Sequence, residues 1–148
     1  MIYRGKALSV AQPWASAIAY AGKDVENRSW RTHYRGPVAI HASGSLRKGD
    51  VDDLVRQVRG GPRRRLMEWI RKGQRRVGLA NDDQEIVQSH ILAIAMIVDC
   101  VERSSSPWHY PDSWGWVLEG VVPIEPVPMK GTLGLWECKF YYAPLSVR

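Results

Sequence analysis

Four side chains able to bind anions or move protons, and one indole, occur close together in the first third of the chain. They are Lys23, Glu26, Arg28, Trp30 and His41. In a partly desolvated cleft an ammonium group loses part of its pKa and acts as a nucleophile or base, whereas a neighbouring carboxylate keeps it charged and favours phosphate binding. The segment therefore predicts a cleft that binds phosphate groups or carries out catalysis.

Two neighbouring strands are expected to position these groups. Strict alternation along a strand puts Glu26, Arg28 and Trp30 on one face and Lys23 on the other. A turn then leads into a second strand at 37–42, which returns beside the first. Acid, base and indole would thus face one cleft, with the histidine near the end of the second strand.

The rest of the chain supplies a helix and more strands. Apolar residues at i, i+3, i+4 and i+7 predict a helix over Pro13–Ala21, and Gly22 can end it because glycine adopts the left-handed conformation at no cost. Apolar runs predict further strands at 7–10, 91–101, 114–118 and 121–125. We therefore expect one mixed α+β domain over residues 1–148.

A basic segment is inserted at about residues 46–85. Two helices are expected there, one beginning at Asp50 and one running from Pro62 to about Arg75. The second carries a dense basic surface, made of Arg63, Arg64, Arg65, Arg71, Lys72, Arg75 and Arg76. Because Glu68 is the only acid inside this run, the cations either face solvent or lie against phosphates.

The composition favours an anionic partner. The formal net charge is +6, which is a physical argument about partners and not about the fold. The two cysteines and four histidines have no metal-binding spacing, so free thiols in a reduced compartment and no metal site are expected. No apolar run reaches the length of a membrane span, so we expect a soluble, cytoplasmic protein without membrane contact.

Two motifs lie far apart in the chain. One is the stretch LSVAQPWASAIAYAGKDVENRSWRTHYRGPVAIHAS, with Gly22, Lys23, Glu26 and Arg28, and the other is PVPMKGTLGLWE near the other end. They resemble the motifs of the ASCH domain family, a PUA-like β-barrel group, whose G-x-K-x-x-E-x-R core fits those four residues. The resemblance implies a small PUA-like β-barrel with flanking α-helices. It also implies nucleic-acid binding, and in some branches catalysis on RNA or on an acylated cytidine.

Residues and resemblance together favour single-stranded RNA over DNA, or a nucleotide-sized segment of RNA. Single strands are bound by cations that meet phosphates and by exposed aromatic faces that stack on unpaired bases. The expected binding residues are Gln12, Lys23, Arg28, Trp30, Arg31, Arg35, His41, Trp116 and Lys130, with Trp108 and Tyr110 as further aromatic candidates.

Catalysis in the same cleft is the alternative, with Lys23 and Glu26 as the catalytic residues. In a ribonuclease, Lys23, Arg28 and Lys130 would stabilise the developing negative charge while Tyr34 or His41 moves a proton. A divalent metal ion is expected only in that case, and no cofactor otherwise.

An amidohydrolase of acylated cytidine is the other enzymatic alternative. That branch of the family has a lysine at the place of Lys23, but a threonine where this chain has Glu26. It also needs a second carboxylate, for which Glu119 is the candidate. A protein-interaction module with an acidic partner is a further alternative, and a plain ion pair of Glu26 with Lys23 or Arg28 is the purely structural interpretation.

Overall fold

A six-stranded sheet and one short helix make up most of the described protein. The computed structural model describes residues 1–43, 49–50, 53, 56, 64, 79–80 and 85–145. In chain order the elements are β1 (Ile2–Ala11), α1 (Trp14–Tyr20), β2 (Val25–Arg28), β3 (Gly36–Ser43), β4 (Leu79–Ala80), β5 (Glu85–Ile86), β6 (His90–Val101), β7 (Trp114–Pro128) and β8 (Leu135–Tyr141). The predicted mixture of strands with a helix after the first strand is confirmed.

The strand order in the main sheet is β2-β7-β6-β3-β1-β8. The β1–β3 pair is parallel, and all other neighbours are antiparallel. Strands β2 and β3 are therefore not neighbours, although the sequence predicts that the second strand returns beside the first. That prediction is wrong because β6 and β7, from the far end of the chain, are inserted between them.

The predicted closed barrel is not confirmed, since the edge strands β2 and β8 do not pair in the described part of the chain. The sheet nevertheless curls strongly. Arg28, at the end of the edge strand β2, donates a hydrogen bond to the carbonyl oxygen of Ser9 in β1. Strand β1 lies next to β8, which is the other edge strand. Trp30 lies against Gly134, where an added Cβ would sit 3.9 Å from the indole Cζ2. The two edges thus approach each other beside the end of β2.

Apolar side chains fill both faces of the sheet. On one face Leu8, Ile40 and Leu92 pack with Ile18 of α1 in the main cluster. The other face carries a second cluster with Tyr3, Ala39, Ile91, Ile124 and Phe140. Burial of each large aliphatic side chain contributes roughly 1.5–3 kcal/mol relative to exposure. The middle of β3 and the first residues of β6 are therefore buried on both sides, whereas Met96 of β6 and Val122 of β7 are exposed.

Helix α1 lies between a glutamine two residues before its start and a glycine two residues after its end. Gln12 accepts a hydrogen bond from the backbone N–H of Ser16 at 3.0 Å and thereby satisfies one free donor of the first turn. Gly22 follows the helix with a φ of +76°, as its position in the sequence predicts. The chain then turns directly into the segment that carries the cleft residues.

Most of the basic insertion lies outside the described residues. Within it Asp50, Asp53, Arg56 and Arg64 are helical, and the remainder of the two predicted helices is not described. At the end of the segment, β4 and β5 form an antiparallel ribbon. The insertion is thus not helical throughout, because its last residues satisfy their backbone groups by strand pairing. No helix in the described ranges is long and apolar enough to cross a membrane.

Candidate functional site

A cavity of about 350 Å³ opens beside the end of β2. This volume lies at the lower end of the range for small-molecule sites. The lining residues are Val10, Ala11, Trp14, Lys23, Glu26, Asn27, Arg28, Ser29, Tyr110, Asp112 and Ser113. The structure thus brings Lys23, Glu26 and Arg28 together and adds a wall from the loop before β7.

Lys23 is a buried cation in this cavity, with only 1% of its surface exposed. Its Nζ donates a hydrogen bond to the carbonyl oxygen of Val25 and lies 3.7 Å from Glu26 Oε1. The Trp108 ring centroid is 5.8 Å away. Burial lowers the pKa of Lys23, and the Glu26 carboxylate opposes that shift. Lys23 precedes β2, so the predicted placement on the face opposite Glu26 is wrong.

Glu26 lies between two cations. Its Oε1 faces Lys23 and accepts the backbone N–H of Asn27 at 3.1 Å, while Oε2 lies 3.5 Å from Arg28 Nη2. The Arg28 guanidinium also lies 5.9 Å from the Trp116 ring centroid. Both ion pairs of the purely structural interpretation are present, and they line a cavity. Within this group two formal positive charges meet one carboxylate, while Asp112 balances the formal charge of the lining as a whole. The partly desolvated site makes these charge interactions stronger than they would be in water.

The loop between β6 and β7 forms the opposite wall, and Asn27 fixes it. Asn27 Nδ2 donates to the carbonyl oxygen of Trp108 at 2.9 Å, and its Oδ1 accepts the backbone N–H of Tyr110 at 2.9 Å. A third hydrogen bond runs from the Ser106 hydroxyl to Asp24 Oδ1 at 2.5 Å. These bonds hold the loop against the segment around β2, so the cavity is preformed.

The family of the chain follows from a comparison with protein-family models, in which residues 8–127 match the ASCH domain. The chain belongs to the ASCH domain family. The matched range includes the whole first motif and every residue that lines the cavity. The second motif, residues 126–137, lies almost entirely beyond it. No curated protein matches the chain.

His41 lies outside the cavity of this ASCH domain. It is buried, its Nε2 donates to the carbonyl oxygen of Met129 at 2.6 Å, and its Nδ1 is 3.4 Å from the Ser9 hydroxyl. Nε2 must carry the proton, because a carbonyl oxygen only accepts. Burial lowers the pKa of His41. The predicted role in nucleic-acid binding is therefore corrected: His41 anchors the loop at residues 129–134.

Gly131 in that anchored loop passes directly over the histidine. A Cβ at Gly131 would come within 2.3 Å of His41 Cε1 and 2.9 Å of the Ser9 hydroxyl oxygen. The Ser9 hydroxyl in turn donates to the carbonyl oxygen of Thr132 at 2.6 Å. The glycine of the PMKGTLGLWE motif is thus required by close packing of the loop on β1 and β3.

Two other predicted binding residues belong to the core of the ASCH domain. Gln12 is buried, and its Nε2 donates to Ser16 Oγ at 2.9 Å and to the Val87 carbonyl oxygen at 2.8 Å. Trp116 is fully buried, and its Nε1 donates to the carbonyl oxygen of Trp30 at 3.1 Å. Neither side chain is accessible to a base or phosphate, so both predictions are corrected to structural roles.

Trp30 and Lys130 are exposed and lie outside the cavity lining. Trp30 has 42% of its surface exposed, with its ring centroid 4.5 Å from that of Trp116 and the ring planes at 88°. Lys130 lies in the loop at 129–134. These two residues provide an aromatic surface and a cation near the place where the two edges of the sheet approach each other.

Arg31 and Arg35 are also exposed, and both are partly engaged. The Arg31 guanidinium lies 5.5 Å from the Trp114 ring centroid. Arg35 lies 3.6 Å from Asp99 and donates to the carbonyl oxygen of Thr32 at 3.1 Å. They are surface cations of the ASCH domain that do not line the cavity.

The candidate aromatic and acidic residues from the sequence have mixed positions. Tyr110 lines the cavity, whereas Trp108 is buried beneath Lys23. Glu119 is exposed opposite Met96 in the β6–β7 pair and does not line the cavity. The second carboxylate in the lining is instead Asp112. The Tyr34 hydroxyl donates to the Pro37 carbonyl oxygen at 2.6 Å and is likewise outside the lining.

Two further side chains in the cavity wall are not among the predicted site residues. The helical spacing of Trp14 favours the core, with an edge left open on the first turn of the helix, and the half-buried indole does border the cavity. For Asn27 the local signal is its place in a strand between Glu26 and Arg28. Among the described residues no group of three His, Cys, Asp or Glu side chains could hold a metal ion. The absence of a cofactor stays a prediction.

Proposed function

We propose that this ASCH domain binds a nucleotide-sized segment of single-stranded nucleic acid, RNA in the first place, in the cavity at Lys23, Glu26 and Arg28. The observation that carries the proposal is the lining itself, in which Lys23 and Arg28 flank Glu26 beside aromatic side chains, with Asp112 as the second carboxylate. Membership of the ASCH domain family is consistent with an RNA-binding PUA-like domain. The formal net charge of +6 also favours a polyanion.

The lining offers a partner for each part of a nucleotide. The Arg28 guanidinium has five N–H donors, and its Nη2 already serves Ser9 and Glu26, so the other donors can meet a phosphate. Trp14 and Tyr110 supply aromatic surface for a base. The Glu26 carboxylate can accept a hydrogen bond from a ribose 2′-hydroxyl, the group that distinguishes RNA from DNA.

The test is the affinity of a fluorescent single-stranded RNA of mixed sequence, measured by anisotropy at fixed ionic strength. Loss of a charge-assisted hydrogen bond predicts that Arg28→Ala weakens binding by about 10- to 100-fold. Arg4→Ala is the matched control, because Arg4 is exposed on β1 and lies roughly 20 Å along the strand from Val10. Equal losses in the two variants would contradict binding in the cavity.

A second candidate function is hydrolysis in the same cavity, of acylated cytidine or of RNA. The observation that favours it is the burial of Lys23, which lowers the pKa of its amine beside the Glu26 carboxylate. A neutral amine at neutral pH would serve as a base.

Turnover of acylated cytidine, and of labelled RNA with and without Mg²⁺, tests this candidate. Lys23→Arg keeps the charge, but a guanidinium is not deprotonated in proteins. Turnover by the wild type that is lost in a folded Lys23→Arg protein, while RNA binding persists, would support the enzyme. If the protein binds RNA but turns over neither substrate, only the binding function would be supported.

A further inference from the structure

We propose that a strand bound in the cavity continues over Trp30, whose indole stacks on the base of the neighbouring nucleotide. The inference rests on the proposed function and adds to it a second nucleotide and the direction in which the strand leaves the cavity. Four structural observations support it.

The first observation is that Trp30 is exposed yet held in place. Its backbone carbonyl oxygen accepts the N–H of the buried Trp116, and the two indoles meet edge to face. The other described tryptophans are buried or half-buried. An aromatic ring that is already fixed loses little conformational freedom when a base stacks on it. Most of the stacking energy therefore contributes to the binding affinity.

The second observation is that Trp30 follows a lining residue in the chain and shares the Trp116 ring as a neighbour with another. Ser29 lines the cavity and precedes Trp30 in the chain. Arg28 also lines it, and its guanidinium lies over the same Trp116 ring that Trp30 contacts. A nucleotide next to the one in the cavity therefore has the Trp30 indole within reach.

The third observation concerns the opposite side of the cavity, which is less favourable for phosphate. A second cavity of about 260 Å³ shares two residues with the first and is lined by Glu102, Arg103, Asp112, Ser113 and Trp114. A phosphate there would meet the Glu102 and Asp112 carboxylates with one guanidinium, Arg103. The first cavity, which shares Asp112, offers two cations against two carboxylates and so has one cation more than the second.

The fourth observation is the loop at residues 129–134 beside Trp30. Gly134 lies against the indole, and the loop is fixed through its Met129 and Thr132 carbonyl oxygens. It presents an exposed Lys130 for a phosphate and Leu133, which is 93% exposed, for apolar contact. The loop that contacts Trp30 thus also carries an exposed cation.

The test compares uridine 5′-monophosphate with 5′-phosphorylated diuridylate by isothermal titration calorimetry. Trp30→Ala is expected to lower the affinity for the dinucleotide by about 5- to 150-fold, since one stacked base is lost. The affinity for the mononucleotide should not change. Trp30→Phe retains a ring and should keep most of the affinity. Tyr141→Ala is the matched control, because Tyr141 is 74% exposed on the distant end of β8.

Two outcomes would overturn the inference while leaving the proposed function intact. In one, the mononucleotide binds but Trp30→Ala leaves dinucleotide affinity unchanged, and the exposed indole is then available for a protein partner. In the other, Trp30→Ala weakens both ligands equally, or Trp30→Phe fails to restore binding in a folded protein. If the wild type binds neither ligand, the proposed function fails and the inference falls with it.

Discussion

Lys23 Nζ and Glu26 Oε1 lie 3.7 Å apart, and both side chains are almost completely removed from solvent. Removing ions from water is costly, and a buried pair often stabilises a fold no better than apolar residues would. Arg28 adds a second cation to the same carboxylate. We interpret the group as a preformed anion site, because Arg28 has N–H donors beyond those that meet Ser9 and Glu26.

The free energy of unfolding should report the buried lysine at alkaline pH. The pKa of Lys23 is lowered in the folded protein from its ordinary 10.5. Between the lowered value and 10.5 the unfolded chain binds a proton that the folded chain lacks, so stability rises with pH, by up to about 1.4 kcal/mol per pH unit. In Lys23→Met this contribution is absent. Urea unfolding of both proteins at several alkaline pH values gives the free energy of unfolding as a function of pH. The two plots should diverge. Parallel plots would contradict burial as the dominant cause of the lowered Lys23 pKa.

A second pH dependence should come from His41 under acid conditions. Burial lowers its pKa from the ordinary 6.5, so the folded protein keeps the imidazole neutral. As the pH falls below 6.5 the unfolded chain takes up the proton first. The free energy of unfolding therefore decreases with falling pH until the pH reaches the lowered pKa of the folded protein.

His41→Gln keeps a donor for Met129 and should remove that part of the loss. His33→Gln, at an exposed histidine, is the matched control. The measurement is urea unfolding from pH 7 downward, and an unchanged profile in His41→Gln would show that another group is responsible.

The loop wall of the cavity should depend on Asn27. Asn27→Ala removes both hydrogen bonds to the loop and leaves the Trp108 carbonyl and Tyr110 N–H without that partner, at an expected cost of about 1–3 kcal/mol. Amide hydrogen exchange of residues 104–113 should accelerate, and uridine 5′-monophosphate should bind more weakly. Ser105→Ala, at an exposed serine of the same loop, is the control. Unaltered exchange in Asn27→Ala would mean that the loop is held by other contacts.

Local signals predicted the helix and several strands correctly. Apolar spacing indicates α1, Gly22 indicates its end, and β6 follows from a long apolar run. Lys23, Glu26 and Arg28 meet because they are neighbours in the chain. The opposite wall could not be predicted, since Asn27 and Trp108 are 81 residues apart and no local pattern connects them.

The same limit explains the wrong assignments of His41 and Trp116. Alternation separates buried from exposed positions only when one sheet face meets water. Here both faces carry buried clusters, so each alternate position of a central strand can be core. Trp30 escapes this ambiguity because it lies beyond the end of β2. Its exposure depends on the curl of the sheet, which the sequence does not reveal.

The basic insertion yields a prediction that rests on the sequence alone. Replacing Arg63, Arg64 and Arg65 together by Ala should weaken RNA binding to a similar extent for different sequences, because phosphate contacts do not read bases. If all three meet phosphates, the slope of log affinity against log salt should fall by about 2. Anisotropy titrations with two unrelated RNA sequences over a salt series measure both quantities. An unchanged affinity and slope would remove the insertion from the interface.

Amide chemical-shift mapping with uridine 5′-monophosphate tests the central claim most directly, because it locates the ligand without altering the protein. The account predicts saturable shifts concentrated at Asn27, Arg28, Ser29, Tyr110 and Ser113, which line the cavity from both walls. Residues on the far ends of β1 and β8, such as Arg4 and Lys139, should not respond. Saturable shifts confined to those distant residues, or no shifts at millimolar nucleotide, would contradict a nucleotide site at Lys23, Glu26 and Arg28.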